Sequence, residues 1–143
     1  MVTNQRVNLF GDVEHREMKL SPSETIAYEQ WAKLGKRFPG SDFSSFIIMP
    51  NHVYGIVFIV KDVAESFQKN ENNKNINRSL GIIIRAYKAS VSFRINAMRG
   101  YIHPQVWQSN YYEKIIRNQV EYENIRKYIY ANPDRWEEDK LYG

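Results

Sequence analysis

The chain has 143 residues, a hydrophobic content of 43% and a net charge of +4, which fits one globular domain able to bury a core. It contains no cysteine, which excludes disulfides and thiolate metal sites and leads us to expect a reducing compartment, the cytoplasm. Its apolar runs are too short to cross a membrane, and its basic charge mildly favours a polyanionic partner.

The first twenty residues predict two short extended pieces. Val7, Leu9 and Val13 favour the first, with a turn at 10–12, and residues 14–20 alternate loosely as a short strand.

A helix start signal follows at Ser21. Pro22 fits the first helical position, and Glu24 completes a capping box in which its side chain would reach back to the Ser21 amide. Gly35 is a plausible stop. We expect this helix to cover one face of a sheet.

Residues 46–60 contain two apolar runs of strand length separated by a Pro-Asn break, which predicts a β-hairpin. Alternate residues of a strand share a face, so His52 and Tyr54 should lie on the same face as Ile56 and Phe58. The pair could be ligands, or simply a half-exposed His and Tyr at a strand end.

The stretch from 61 to 78 is polar and rich in Asn and Lys. It predicts a mobile loop, or one that only a ligand orders. A helix over 79–99 should follow, because apolar residues recur there at helical spacing. Four of its cations suit a phosphate backbone or an ordinary solvated face, namely Arg85, Lys88, Arg94 and Arg99.

The region from 101 to 117 predicts a strand near 106–109 and irregular structure after it. Its aromatics, Trp107 among them, could stack on unpaired bases or belong to the core. A third helix is expected over 119–131, closed by Asn132-Pro133. Tyr128 and Asn132 are four residues apart and share a helical face; alternatively, Tyr128 packs on the sheet and Asn132 caps the helix.

The predicted order is strand, helix, hairpin, helix, strand, helix, without repeats or a long linker. This order is typical of a single-domain α+β layer fold over residues 1–143.

Two motifs carry a resemblance to a known family. Residues 49–55, Met-Pro-Asn-His-Val-Tyr-Gly, resemble the Met-Pro-Asn-His-hydrophobic-His motif of the single-tyrosine HUH transposases. Residues 126–133, Arg-Lys-Tyr-Ile-Tyr-Ala-Asn-Pro, resemble that family's catalytic-tyrosine helix. Segments 79–83 and 106–118 match in order between them, and the branch most similar is the REP-associated tyrosine transposases. The resemblance covers nearly the whole chain.

The resemblance implies a ferredoxin-like antiparallel sheet with helices on one face, and a DNA nickase site. The family holds Mg²⁺ or Mn²⁺ beside single-stranded or hairpin DNA, and its tyrosine forms a 5′-phosphotyrosine link. By position, Tyr128 would be the nucleophile, His52 the first metal ligand and Asn132 another. The DNA-binding residues that we assign are Arg85, Lys88, Arg94, Arg99, Trp107 and Arg117.

The chain departs from the family pattern at two places. Tyr54 stands where the second histidine belongs, and a neutral phenol is a poor ligand for a hard divalent ion, so a weakened metal site is expected. The first strand should be short or missing, as in a truncated or decayed copy. Three interpretations follow: a transposase-like enzyme that nicks and rejoins DNA, a DNA-binding module that has lost cleavage, or a decayed reading frame. The protein would act as a monomer or homodimer, without a membrane.

Overall fold

The computed structural model describes residues 1–59, 74–100 and 105–138. In chain order its strands and helices are β1 (Gly11–Glu14), β2 (Glu17–Leu20), α1 (Pro22–Ala32), α2 (Leu34–Arg37), β3 (Ser41–Met49), β4 (His52–Ile59), α3 (Lys74–Arg99) and α4 (Gln119–Ala131). Two 3-10 helices, η1 (Asn4–Arg6) and η2 (Pro133–Glu138), complete the described fold.

The main sheet is built on the β3–β4 hairpin. The two strands pair antiparallel from Ser41 with Ile59 to Met49 with His52, and the predicted Pro-Asn break forms the connection. On the other side of β4 lies the amino-terminal segment, since the Val53 N–H donates to the Met1 carbonyl at 2.8 Å.

A fourth extended segment completes the main sheet. Thr3 bridges to Trp107, and the Gln108 N–H donates to the Val2 carbonyl at 2.9 Å. The order across the sheet is therefore residues 106–108, residues 1–3, β4 and β3. This order confirms the α+β, ferredoxin-like prediction, and the first strand is short.

Two long helices, α1 and α3, pack against each other and against one face of this sheet. Trp31 of α1 stacks on Phe46 of β3 at 5.1 Å and meets Tyr87 of α3 edge-on at 5.2 Å, measured between ring centroids. The Trp31 ring reaches the backbone of β4, where a Cβ on Gly55 would stand 2.6 Å from its Cζ2 atom. Only glycine fits that position, so the sheet and α1 approach more closely than side chains would allow.

The third long helix, α4, lies on the opposite face. Tyr122 of α4 contacts Phe58, and Tyr128 contacts Tyr54. The prediction of helices on one face therefore holds for α1 and α3, while α4 covers the face that carries His52.

The capping box at α1 is only half formed. The Glu24 N–H donates to Ser21 Oγ at 3.3 Å, as predicted, but the Ser21 N–H donates to the carbonyl of Phe10 at 3.0 Å. A tertiary acceptor has thus replaced the Glu24 side chain.

The amino-terminal half contains one hairpin that the sequence did not predict. β1 pairs with β2 from Gly11–Leu20 to Glu14–Glu17, where we expected a turn at 10–12. The turn lies instead at His15 and Arg16, which have φ of 52° and 66°. The left-handed region usually requires Gly or Asn, so these residues gave no turn signal.

The other predicted element boundaries agree with the structure to different extents. The helix predicted over 119–131 is observed with those bounds, and α3 begins at Lys74 rather than at 79. Near 107 there is an isolated bridge in place of a regular strand. Most of the predicted polar loop falls outside the described residues. No helix within the described ranges is long and apolar enough to cross a membrane.

Candidate functional site

The candidate site lies between β4 and α4, on the sheet face opposite α1 and α3. Alternation along β4 directs Val53 and Gly55 toward the helices α1 and α3, and His52, Tyr54 and Phe58 toward α4. The expected shared face of His52, Tyr54 and Phe58 is therefore observed.

Three of the predicted site residues form a continuous chain of ring contacts. The rings of His52 and Tyr54 are 4.6 Å apart, centroid to centroid, at 81°. Those of Tyr54 and Tyr128 are 5.8 Å apart at 75°. Edge-to-face contacts of this kind are favourable for aromatic pairs. Tyr54 thus lies between the histidine and the tyrosine that the family resemblance marks as ligand and nucleophile.

Tyr128 combines this contact with access to solvent. Its side chain is 44% exposed, although its ring packs on Tyr54. The alternative, in which Tyr128 only packs on the sheet, therefore accounts for its contact with Tyr54 but not for its exposure. The exposed remainder makes it accessible to a large substrate, and its catalytic role stays a prediction.

His52 is held in a closed environment. It is 1% exposed, and its Nδ1 atom lies 2.7 Å from Asn51 Oδ1. The ring of Trp136, in η2, lies 5.8 Å away at 30°. Burial, with a smaller contribution from the amino-terminal charge, lowers the pKa of His52 to about 3. The imidazole is therefore neutral at physiological pH, which is the form that can bind a metal.

Asn132 ends α4 and is 2% exposed. It is the C-cap residue, as the alternative interpretation expected, and its N–H donates to the Ile129 carbonyl at 3.3 Å. Its side-chain Nδ2 is buried and has no hydrogen-bond partner among the described residues. A buried amide without such a partner is costly in an ordinary cap, so the cap alone does not explain this side chain.

The donors at this site suit a divalent metal only weakly. Within the described ranges there is no group of three or more His, Cys, Asp or Glu that could hold a metal. A neutral imidazole at His52 and the incompletely bonded buried amide at Asn132 are compatible with a ligand pair. Tyr54 supplies a phenol where the family places an imidazole. A metal held by this pair would need water and phosphate as its other ligands.

The residues assigned to DNA binding separate into two groups. The guanidinium-bearing side chains are all exposed, namely Arg85, Arg94, Arg99 and Arg117. Lys88, by contrast, donates to the carbonyls of Gln108 and Asn110 at 2.8 and 3.0 Å. Burial lowers the pKa of Lys88, and its ammonium group is already engaged by backbone carbonyls of the chain itself.

Trp107 belongs to the core. It is 4% exposed, packs 5.5 Å from Phe10 and donates from Nε1 to the Lys88 carbonyl at 3.2 Å. Its ring is therefore not presented to a base, and the alternative of a core position describes it better.

A groove beside these residues went unnoticed in the sequence. It has a volume of about 620 Å³ and lies between α3 and residues 105–111, with Arg85, Ser92 and Asn96 on one wall. Helical spacing of polar residues at 85, 88, 92 and 96 is the signal that could have indicated it. Arg94 and Arg99 are not part of its lining, so the basic residues of α3 do not form one stripe.

Sequence reasoning also missed the roles of Asn51 and Trp136. Asn51 belongs to the turn motif, but its contact with His52 depends on side-chain orientation. Trp136 lies just beyond α4, and its spacing of four residues from Asn132 was the signal available in the sequence.

Comparisons with known proteins agree with this architecture. No family model matches the chain. It is 33% identical over 141 residues to an uncharacterized protein of Haemophilus influenzae, covering 94% of this chain and 77% of that protein. Its fold is similar to that of a REP-associated tyrosine transposase solved with a REP hairpin, with a TM-score of 0.59 and 18% identity. This match covers 94% of the chain but 64% of the transposase, so the chain spans under two thirds of that protein.

Proposed function

Because the chain belongs to the same family as the Haemophilus influenzae protein and has the fold of a REP-associated tyrosine transposase, we propose that it is a transposase-like DNA-binding protein. Its ligand is single-stranded or hairpin DNA. The observation that carries the proposal is the contact between Tyr54 and the exposed Tyr128, on the face where His52 is buried. Tyr128 is exposed and packs on Tyr54, which contacts the buried His52, so a phenol accessible to a nucleic acid lies close to this histidine.

Charge supports the choice of ligand. The chain carries a net charge of +4, and arginines on α3 and before α4 are exposed. Arginine side chains bind phosphate through charge-assisted hydrogen bonds, and neutralised phosphates make affinity fall as salt rises.

If the site is active, Tyr128 attacks the scissile phosphate. The bond from its phenolic oxygen to phosphorus forms while the bond to the 3′ oxygen breaks, leaving a 5′-phosphotyrosine and a free 3′-hydroxyl. The phenolic hydrogen leaves in this step and passes through solvent to the departing 3′ oxygen, which becomes the hydroxyl. His52 and Asn132 would hold Mg²⁺ or Mn²⁺, which supplies positive charge next to the phosphate.

A second candidate is a DNA-binding module without cleavage. Tyr54 favours it, because the phenol occupies the expected position of a metal-binding histidine and its ring is packed against His52 and Tyr128. The fold and the exposed arginines would be retained in such a protein, whereas the metal would not be bound strongly enough for turnover.

Native gel shifts with labelled DNA test the proposal. We expect tighter binding of a hairpin with a single-stranded flank than of a plain duplex of equal length, with affinity that falls steeply between 50 and 200 mM salt, about the range over which phosphate contacts weaken. Equal affinity for the two DNAs, or affinity independent of salt, would refute it.

A denaturing gel separates the two candidates. A DNA adduct that survives denaturation and is absent in Tyr128→Phe identifies the enzyme. Tyr130→Phe is the matched control, since Tyr130 is exposed on the same helix and packs under Arg126. Specific DNA binding without an adduct identifies the binding module.

A further inference from the structure

We infer that Asn51 is a positioning residue that holds His52 in the tautomer with hydrogen on Nδ1, leaving the lone pair on Nε2. Hydrogen bonds of the buried Asn51 amide to Arg6 and His52 determine this tautomer. Its relevance to a metal rests on the proposed function, but the tautomer itself does not.

The first step fixes the orientation of the Asn51 amide. The side chain is fully buried, and its Nδ2 donates to the carbonyl of Arg6 at 3.3 Å. A backbone carbonyl can only accept a hydrogen bond, so the NH₂ group must face Arg6. The Oδ1 atom therefore faces His52.

The second step fixes the hydrogen on the imidazole. Asn51 Oδ1 lies 2.7 Å from His52 Nδ1, and an amide oxygen cannot donate. Nδ1 must carry the hydrogen, and in a neutral ring Nε2 then carries the lone pair. Metal-binding histidines commonly use this arrangement, in which a partner on one nitrogen orients the other.

The third step explains an unusual backbone. Gln5 and Arg6 have φ of 53° and 55°, a left-handed conformation that is unfavourable for both residues. This turn brings the Arg6 carbonyl to Asn51. Thr3 holds the same turn, since its carbonyl accepts from the Arg6 N–H at 3.1 Å and its hydroxyl donates to the Val7 carbonyl at 2.8 Å. The Thr3 N–H also donates to the backbone carbonyl of Asn51 at 2.8 Å. The strained turn thus places the Arg6 carbonyl where it orients the Asn51 amide, and this amide in turn orients His52.

Long-range ¹H–¹⁵N correlation spectra at neutral pH test the inference directly. The chain has three histidines, and the signals of His52 are identified by their loss in His52→Gln. We expect the wild type to show the Nδ1–H form for His52. The Nε2–H form in the wild type would overturn the inference, whatever the protein does.

Two variants test whether Asn51 is the cause. Asn51→Leu keeps a similar volume but offers no acceptor, so the Nε2–H form should become populated. Asn51→Asp loses the donor to Arg6 but keeps an acceptor, and should retain Nδ1–H. A merely structural role would lower thermal stability in both variants and leave the tautomer unchanged, which would overturn the inference. If the Leu variant does not fold, the Asp variant and the wild type decide, since the Nε2–H form in either one refutes it.

Metal titration separates this inference from the proposed function. With Mn²⁺ alone, Asn51→Leu should bind about 10–100-fold more weakly than the wild type, and Asn51→Asp should recover binding. Equal Mn²⁺ affinity in the wild type and in a folded Asn51→Leu variant would show that Asn51 does not position His52 for metal binding. No Mn²⁺ binding by the wild type, together with the Nδ1–H tautomer, would refute the metal site of the proposed function and leave Asn51 as the determinant of the tautomer.

Discussion

The ring of Tyr54 lies 5.8 Å from the ring of Tyr128, and the same Tyr54 ring lies 4.6 Å from His52. One side chain therefore contacts both the expected nucleophile and the expected metal ligand. Position 54 is the point at which the chemistry of this site can be altered with little change to the fold, because Tyr54 is only half-buried and strand preferences span about 1 kcal/mol among residues.

We predict that Tyr54→His restores metal binding and DNA cleavage. A second imidazole next to His52 adds a strong ligand, and loss of a group that supports a metal site typically costs 10–100-fold in affinity or activity. Denaturing gels with labelled hairpin DNA and Mn²⁺ should show a covalent adduct in Tyr54→His and little in the wild type. The double variant Tyr54→His with Tyr128→Phe should form none. An efficient adduct in the wild type would mean that Tyr54 is already a competent ligand.

DNA affinity should depend on Arg85. Its guanidinium lines the groove between α3 and residues 105–111 and is exposed. The plot of log affinity against log salt concentration has a negative slope. If Arg85 neutralises one phosphate, Arg85→Gln should make that slope shallower by about 0.7–0.9. Lys36→Gln is the control, since Lys36 is an exposed cation on α2 outside the assigned set. Identical slopes in the two variants would remove Arg85 from the DNA interface.

Glu24→Gln should stabilise the protein at neutral pH. Glu24 is 8% exposed, and burial raises its pKa. In this case the folded carboxyl binds a proton more tightly than the unfolded one, so folding is penalised above the folded pKa and unpenalised below the unfolded value of about 4.3. Urea unfolding should therefore show Gln more stable than Glu at pH 7, with the difference shrinking as the pH falls through that range. A difference independent of pH would contradict this explanation.

Gly55→Ala should destabilise the fold. The added Cβ would overlap the Trp31 ring, and overpacking of this kind typically costs about 1–3 kcal/mol. Gly35→Ala is the matched control, because a Cβ there meets nothing within 4 Å and helical Ala gains about 0.5–1 kcal/mol over Gly. Thermal unfolding should move the two variants in opposite directions. A Gly55→Ala protein as stable as the wild type would mean that the Trp31 ring can shift away from the added Cβ without a loss of stability.

Local signals were sufficient for much of the fold. The helix over 119–131 has a capping Asn118 and a terminating Asn132-Pro133, so both ends could be predicted. The β3–β4 hairpin followed from strand-length runs and a Pro-Asn break. The shared face of His52 and Tyr54 followed from strand periodicity alone.

Tertiary contacts explain what could not be predicted. The turn at His15 and Arg16 has no Gly or Asn, so its left-handed backbone follows from the two-residue loop between Glu14 and Glu17 rather than from residue preference. Lys88 was assigned to phosphate because local sequence does not show the carbonyls of Gln108 and Asn110 that it binds. The Asn51 amide is oriented by a carbonyl 45 residues away, a distance beyond any local pattern.

The buried part of α4 is its carboxy-terminal end. The amino-terminal turns should therefore open more often than the carboxy-terminal turn. Ile129 is its buried residue, and Asn132 and Trp136 are buried just beyond it. Residues 119–126 are partly or fully exposed. Amide protons near Gln119 should therefore exchange with solvent through fraying of the first turns, while those near Ile129 need a larger opening. Tyr128 lies at the end that should exchange slowly, so its hydroxyl should keep its position when the first turns of the helix open.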